Sequence, residues 1–363
     1  MPDLNVSFEV RRDDLRETRL VSGPLPSPTA GQALLRIDRF GLTSNNVTYG
    51  VVGDMIGYWG FFPAEEGWGR IPVWGFADVI ESHADGLPAG TRVFGYLPMS
   101  SHLLVEPAND TPHGFIDGAA HRSRLPALYN RYRRTNTDPV YSPETEDVQA
   151  ILFPLFATSF VIDDLLEDND DFSADRIVLS SASSKTAAGT ALCISRRDGP
   201  RPDIVGLTSA RHVPFVDGLG WYDTVIAYED VAALDPTVPT VFLDMAGNGA
   251  VRDAIHQHLG DRLTASYIVG VTHWGAQAPR ATLLGPEPTM FFAPTQVDKR
   301  MAEWGVAGYL QRFGAAWEGL LDVVADWIDV VEVNGLDAVP VAYRQLLDGA
   351  AQPSEGFIVS LEQ

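Results

Sequence analysis

The stretch that most narrows what this chain can fold into is Arg176-Ile-Val-Leu-Ser180 running into Ser181-Ala-Ser-Ser-Lys-Thr-Ala-Ala-Gly189. A short β-branched, apolar run ends in small residues, and a helical pattern opens through Thr190, Ala191, Leu192, Cys193 and Ile194. That order is strand, tight turn and helix N-terminus, the start of a βαβ nucleotide-binding unit. Backbone N–H groups and the helix dipole at such a turn favour a pyrophosphate. Serines and alanines stand where the G-x-G-x-x-G fingerprint has glycines. The stretch is therefore read two ways, as a nucleotide loop or as a plain strand-to-helix turn. In the first reading Ser181, Ser183, Ser184, Lys185 and Thr186 face the phosphates. Lys185 is one of only two lysines in the chain, the other being Lys299.

Beyond this loop the chain alternates between strand and helix. Strands are expected over 203–208, 224–228, 240–245 and 264–270, with helices over 185–197, 213–218 and 248–259. Such alternation specifies a parallel, doubly wound sheet. A long helix or helix pair comes next over 296–327, then a strand, a helix over 337–347 and a last strand over 356–361. Upstream, residues 1 to about 108 read as short strands joined by Gly/Pro turns, the pattern of a partly open β-barrel. Between its second and third strands lies an aromatic insertion with Tyr49, Tyr58, Trp59, Phe61, Phe62 and Trp68. It is either a lid over an apolar ligand or a satellite core under a long loop. Arg122, Arg124, Arg131, Arg133 and Arg134, interleaved with Tyr129, Tyr132 and Tyr141, either face an anion or neutralise nearby carboxylates. A helix is expected from Glu146, kinked or divided by Pro154.

Charge excludes some classes. A formal net charge of −22 over 363 residues argues against a grip on nucleic acid or on an anionic membrane. No apolar run approaches the roughly 20 residues that span a bilayer. The single cysteine, Cys193, forms no internal disulfide, and the polar N-terminus does not read as a signal peptide, so a cytoplasmic setting is expected.

The second strand of the nucleotide unit ends Val205-Gly-Leu-Thr-Ser-Ala-Arg211. NAD sites place a carboxylate here for the ribose 2′-hydroxyl. Ser209 and Arg211 instead suit a 2′-phosphate, which an acid would repel, so NADP(H) is expected over NAD(H). The alternative is a helix cap by Ser209 beside a solvated arginine.

A barrel-like half, a nucleotide unit and a returning tail resemble the medium-chain dehydrogenase/reductases, on the zinc-free quinone oxidoreductase and enoyl reductase side. Leu42-Thr-Ser-Asn-Asn resembles the segment that opens their active site. Pro72-Val-Trp-Gly-Phe-Ala-Asp-Val-Ile-Glu81 resembles the run into the central barrel strand. Gly218-Leu-Gly-Trp-Tyr-Asp223 resembles the turn after the second nucleotide-unit helix, and Val241-Phe-Leu-Asp-Met-Ala-Gly-Asn-Gly249 the strand end beside the cofactor. The closest fit is an uncharacterised subfamily carrying Pro154-Leu-Phe-Ala-Thr-Ser159 and Phe291-Phe-Ala-Pro294.

The resemblance implies a GroES-like domain over 1–130 and 328–363 and a Rossmann domain over 146–327. It also implies an NADP(H)-dependent reduction of a small-molecule carbonyl or enone. Tyr49 is then the candidate proton donor and Asn46 the oxyanion partner. Asn45, Tyr58, Trp59, Phe61, Phe62, His273 and Trp274 would wall the substrate, and Ala246, Gly247, Val271 and Thr272 would adjoin the cofactor. The zinc-binding branch uses a Cys, a His next to a Glu and a second Cys or Glu, plus a four-Cys lobe; this chain has only Cys193, in the other half, and Trp74-Gly-Phe-Ala in place of Gly-His-Glu, so no metal is expected. A homodimer through the sheet edge near Thr264 to Gly270 is expected by the same resemblance. A lyase-like enzyme or a non-catalytic NADPH-binding protein on this scaffold is the alternative.

Overall fold

The computed structural model describes residues 4–270 and 283–361. The chain forms two compact units, 1–154 with 328–363, and 155–327. The dividing point falls inside one helix, Glu146–Asp168, which runs on through Pro154. Of the two expectations at that proline, a kink or a division, the division is not seen. This helical stretch, Pro143–Asp168, is long and apolar enough to cross a bilayer, and more than half of its apolar window is buried in the fold.

In the first unit a nine-stranded sheet has the order 329–334, 355–360, 33–42, 72–82, 92–98, 131–134, 114–117, 107–111, with His102–Val105 also pairing Ala33–Leu42. All pairs are antiparallel except Asp329–Asn334 with Glu355–Ser360, which brings the C-terminal tail into the sheet. A three-stranded sheet of 18–24, 4–11 and 68–69 joins it where the Ser100 hydroxyl donates to Ser7 Oγ at 2.7 Å. This is the partly open GroES-like barrel. Phe8, Ile37, Phe40, Phe76 and Phe94 fill it with at most 1% exposure each. The segment 109–150, loose in sequence, supplies three of the strands.

Strand Ala33–Leu42 crosses under the first half of the helix Glu146–Asp168. A Cβ on Gly41 would lie 2.4 Å from the Ala150 carbonyl oxygen, so only glycine permits this approach. Beside it, Arg92 gathers the carboxylates of Asp38, Asp78 and Glu146 at 2.5 to 3.1 Å.

The second unit holds a six-stranded sheet ordered 224–227, 203–208, 176–180, 240–244, 263–268, 289–290, every pair parallel. In sequence ranks that is 3-2-1-4-5-6, the doubly wound Rossmann order. The pleat sends alternate residues to opposite faces. Ile177, Leu179, Val241 and Leu243 pack with Ile162, Leu166, Ala187 and Ala191, whereas Val178 and Phe242 pack with Val251, Ile255 and Leu259. Both faces are covered, which is why these strands read as unbroken apolar runs rather than alternating ones. The edge differs from the expectation. Leu263–Ile268 is paired on both sides, because Thr289–Met290 adds beyond it through Tyr267 and Ile268.

Gly41→Ala should cost about 1–3 kcal/mol, because the displaced atoms are helix backbone and cannot rotate away. A denaturant midpoint unchanged from that of the unaltered protein would contradict this.

Candidate functional site

Strand ends set the nucleotide loop. Strands 176–180 and 240–244 are neighbours, and the winding of the sheet reverses between them, so their C-terminal ends form the topological switch point. Ser180 Oγ donates to Asp244 Oδ1 at 3.1 Å and accepts the Met245 N–H at 3.0 Å. Asp244 is fully buried; the Gly247 N–H donates to Oδ1 at 3.0 Å, and Arg252 Nη1 lies 3.4 Å from Oδ2. Burial pushes this carboxyl above the ordinary aspartate range, against the pull of the Ser180 hydroxyl and of Arg252.

The serine loop leaves that tie directly. Ser181 adopts φ 50°, the left-handed region a glycine would favour, and its N–H donates to the Tyr228 hydroxyl oxygen at 3.0 Å. The Tyr222 hydroxyl donates to the Ala182 carbonyl at 2.9 Å. Ser184 caps the helix Lys185–Ser195 by accepting the Ala187 N–H. Ser183 meets two groups from the second strand's end, His212 Nδ1 at 3.2 Å and Thr208 Oγ1 at 3.4 Å. Lys185 and Thr186, half-buried, open the helix. Gly189 lets that helix approach Ser159, whose Oγ a Cβ would meet at 2.7 Å.

Ser209 holds the turn Ala210–His212 through its carbonyl, which accepts the His212 N–H at 2.8 Å, and Arg211 is exposed beside it. Ala246 and Gly247 come just after Asp244 at the fourth strand's end. The loop, the second strand's end and the fourth strand's end thus lie on one edge of one sheet. Val271, Thr272, His273 and Trp274 fall outside the described residues.

In the barrel unit the aromatic insertion is a core. Tyr58, Trp59, Phe61 and Phe62 are 5%, 4%, 0% and 3% exposed. The Trp59 indole sits where a Cβ on Gly53 or Gly69 would be, at 2.2 and 2.4 Å. Phe61 meets Tyr96 edge-on at 5.3 Å, and the buried Arg122 guanidinium lies 4.7 Å from the centre of the Phe62 ring. Trp59, Phe61 and Phe62 are therefore packed residues, not the open wall the sequence suggested. Large rings on a loop lose the most free energy in water and bury one another edge to face. Most of the neighbouring arginines are structural too: Arg122 pairs with Asp117 at 3.2 Å, Arg134 with Asp110 at 2.8 Å, and Arg133 with Asp138.

Asn46 also takes another role than the expected one. Its Oδ1 accepts the Thr43 N–H at 2.7 Å in a capping box, and its Nδ2 donates to the Pro72 carbonyl at 2.9 Å. That side chain fastens helix Ser44–Val51 to the strand beginning at Pro72, so both of its polar atoms are engaged within the fold. Tyr49, 6% exposed, accepts from Trp74 Nε1 at 3.4 Å and also bonds the Asn45 side chain. Burial, then the nearby Tyr129, raise its phenol well above the ordinary tyrosine value. Tyr58 and Tyr129 share a hydrogen bond at 3.1 Å. Among the described residues no three His, Cys, Asp or Glu side chains gather as a metal requires. Burial pushes the Cys193 thiol up, away from reactivity.

Tyr222, Tyr228 and His212 join this arrangement without being singled out in sequence, whereas Asp244 and Thr208 stand in the stretches 241–249 and 205–211 read above. Asp244 lies inside the strand-end stretch 241–249 and His212 one residue past Arg211, so both carry a positional signal. Tyr222 lies in the turn 218–223. Tyr228 carries none.

The family model described as "Protein of unknown function (DUF2855)" matches residues 40–352. The chain belongs to this DUF2855 family. No match is found among curated proteins. Among solved structures, this DUF2855 chain is similar to CurA from Vibrio vulnificus in complex with NADPH, at TM-score 0.66 and 15% identity, over 99% of each chain. It is similar to the quinone oxidoreductase from Coxiella burnetii, at 0.57 and 13%, over 99% of this chain and 100% of that one. A mutant enoyl thioester reductase from Candida tropicalis gives 0.59 and 11%, again over 99% and 100%. The DUF2855 chain thus shares the fold of these structures over nearly its whole length.

Asn46→Ala should lower stability by about 1–2 kcal/mol through the lost cap, while leaving activity per folded molecule near that of the unaltered protein. A fully folded Asn46→Ala protein with activity lost would return Asn46 to the chemistry.

Proposed function

We propose that this protein is a zinc-independent, NADPH-dependent oxidoreductase that reduces an activated C=C or C=O bond of a small to medium apolar substrate. The observation that carries the reading is the donor set on one sheet edge. A loop of small hydroxyl residues stands at the switch point, and the second strand's end bears Thr208, Ser209, Arg211 and His212 with no carboxylate. A nucleotide carrying a 2′-phosphate fits such donors; a 2′-hydroxyl lacks its usual acidic acceptor. Neighbours of the same fold solved with NADPH or NADP support it.

In this reading Ser183, Ser184, Lys185 and Thr186 bind the pyrophosphate at the helix start. Ser209 and Arg211 bind the 2′-phosphate. Ala246 and Gly247 leave room beside the nicotinamide, because neither carries bulk past a Cβ. The reduced nicotinamide, when bound, supplies a hydride. Tyr49 Oη holds the proton that a developing oxyanion requires; a phenol is protonated at neutral pH, and burial moves its titration further up. Asn45, which the sequence reading put in the substrate wall, orients that hydroxyl. A homodimer, if formed by sheet extension, would use Thr289–Met290 rather than the strand before it.

One observation favours a second reading, a non-redox enzyme or a nucleotide-binding protein without turnover. The Ser181 N–H, which a phosphate would use, is already taken by Tyr228.

Titration by tryptophan fluorescence separates these. NADPH should bind at least about tenfold tighter than NADH, the worth of one charge-assisted hydrogen bond, and Arg211→Ala should erase most of that difference. Binding of neither nucleotide would remove the redox reading. Binding without NADPH oxidation across a panel of enones, quinones and ketones would favour the second. With a substrate in hand, Tyr49→Phe should lower turnover more than about tenfold with NADPH affinity unchanged. Unaltered turnover would take Tyr49 out of the mechanism.

A further inference from the structure

We propose that His212 is a third element of the 2′-phosphate site, and that its imidazole takes up a proton as the phosphate of NADPH docks. The inference rests on the NADPH reading above and adds a pH-sensitive, specificity-determining residue to it.

Hydrogen-bond direction sets the tautomer of this ring. The Thr208 hydroxyl donates to Ser183 Oγ at 3.4 Å, and Ser183 Oγ lies 3.2 Å from His212 Nδ1. Ser183, having accepted from Thr208, has its own proton left to give, and Nδ1 is placed to accept it. In the neutral ring the proton then sits on Nε2, which makes no hydrogen bond to the described residues and is left to donate outward. The imidazole is thus tied to the phosphate loop through Ser183, with Arg211 adjoining it in the same turn.

The charged surroundings are simple. Burial first, then Arg211, holds the imidazole below the ordinary histidine range, so it is neutral in the free protein at neutral pH. The loop facing it offers hydroxyls and, at the start of its helix, the cation Lys185; the strand end offers Thr208, and the helix Val213–Gly218 after it carries a single acid, Asp217, which is exposed. A phosphate monoester brings close to two negative charges above about pH 6. An opposite charge at a few ångströms raises a pKa by roughly 1–3 units. Protonation then turns the chain round, Nδ1–H donating to Ser183, while Nε2–H donates to the phosphate. NADH brings no such charge.

Linkage fixes the sign. The complex binds more protons than the free protein, so NADPH affinity is greatest at low pH. It falls as pH rises from the depressed value of the free imidazole through the raised value of the bound one.

The test is calorimetric titration with NADPH and with NADH at about pH 6.5 and about pH 8.5, in two buffers of different ionisation enthalpy, which counts protons directly. The unaltered protein should take up a proton with NADPH and lose about tenfold in affinity across that range. NADH should show neither effect. His212→Gln should bind NADPH with no proton uptake and no slope, at about the high-pH affinity of the parent. Uptake that persists in His212→Gln, or that appears equally with NADH, overturns the inference. The proton count on the unaltered protein decides the matter even if the variant fails to fold. NADPH binding no tighter than NADH at either pH would fail the cofactor reading and this one together. A clear NADPH preference with no proton uptake would fail this one alone.

Discussion

The nucleotide end of this fold depends on one buried contact, the Ser180 hydroxyl on the Asp244 carboxylate. A fully buried carboxylate is costly unless each oxygen is met. The donors that meet it belong to three separate pieces: the end of the first strand, the turn after the fourth, and the helix Gly249–Leu259 beyond that turn. Satisfying one side chain therefore registers three elements against one another. The serine loop and the Ala246–Gly247 turn inherit their positions from that registration. Tyr222 and Tyr228 reach in from the third strand's flank and fix the loop's backbone in turn. Glycines are dispensable here because the loop is held by side chains instead, with one residue, Ser181, left in the left-handed region.

The barrel solves a different problem by similar means. Its long insertion carries more aromatic surface than a loop can leave in water, so Tyr58, Trp59, Phe61 and Phe62 form a second core against Tyr96 and Arg122. Arg122 is admitted because Asp117 and the Tyr132 hydroxyl meet it and the rings face its plane. Beside this core the Tyr49 hydroxyl is tied to Asn45 and Trp74, and Tyr58 and Tyr129 share a hydrogen bond. All four phenols of this cluster, Tyr96 included, are raised by burial.

Much of this is legible before any coordinates. Apolar runs such as Ile177–Leu179 and Val241–Leu243 can be buried on both faces only in a parallel sheet. The missing acid after Thr208 speaks of the nucleotide. Asn46 misleads because an amide three residues past Thr43 serves equally as a cap or as an oxyanion donor, and composition does not choose. Pro154 reads as a kink or a division because the missing N–H is visible in sequence, whereas the continuity of the helix through it is not. The edge strand is misplaced from sequence because Thr289-Met290 is too short to announce itself.

Sequence alone determined the periodicities, and with them the two kinds of sheet, since burial on one face or two leaves its mark residue by residue. It also determined the chemistry on offer: hydroxyls and an arginine where a carboxylate might have stood, and one cysteine. The tertiary structure decided which groups meet. Ser180 with Asp244, Ser183 with His212 and Trp59 with two glycines are contacts across 64, 29, and 6 and 10 residues respectively. Such contacts arise from strand order and helix approach, and local patterns carry no record of either.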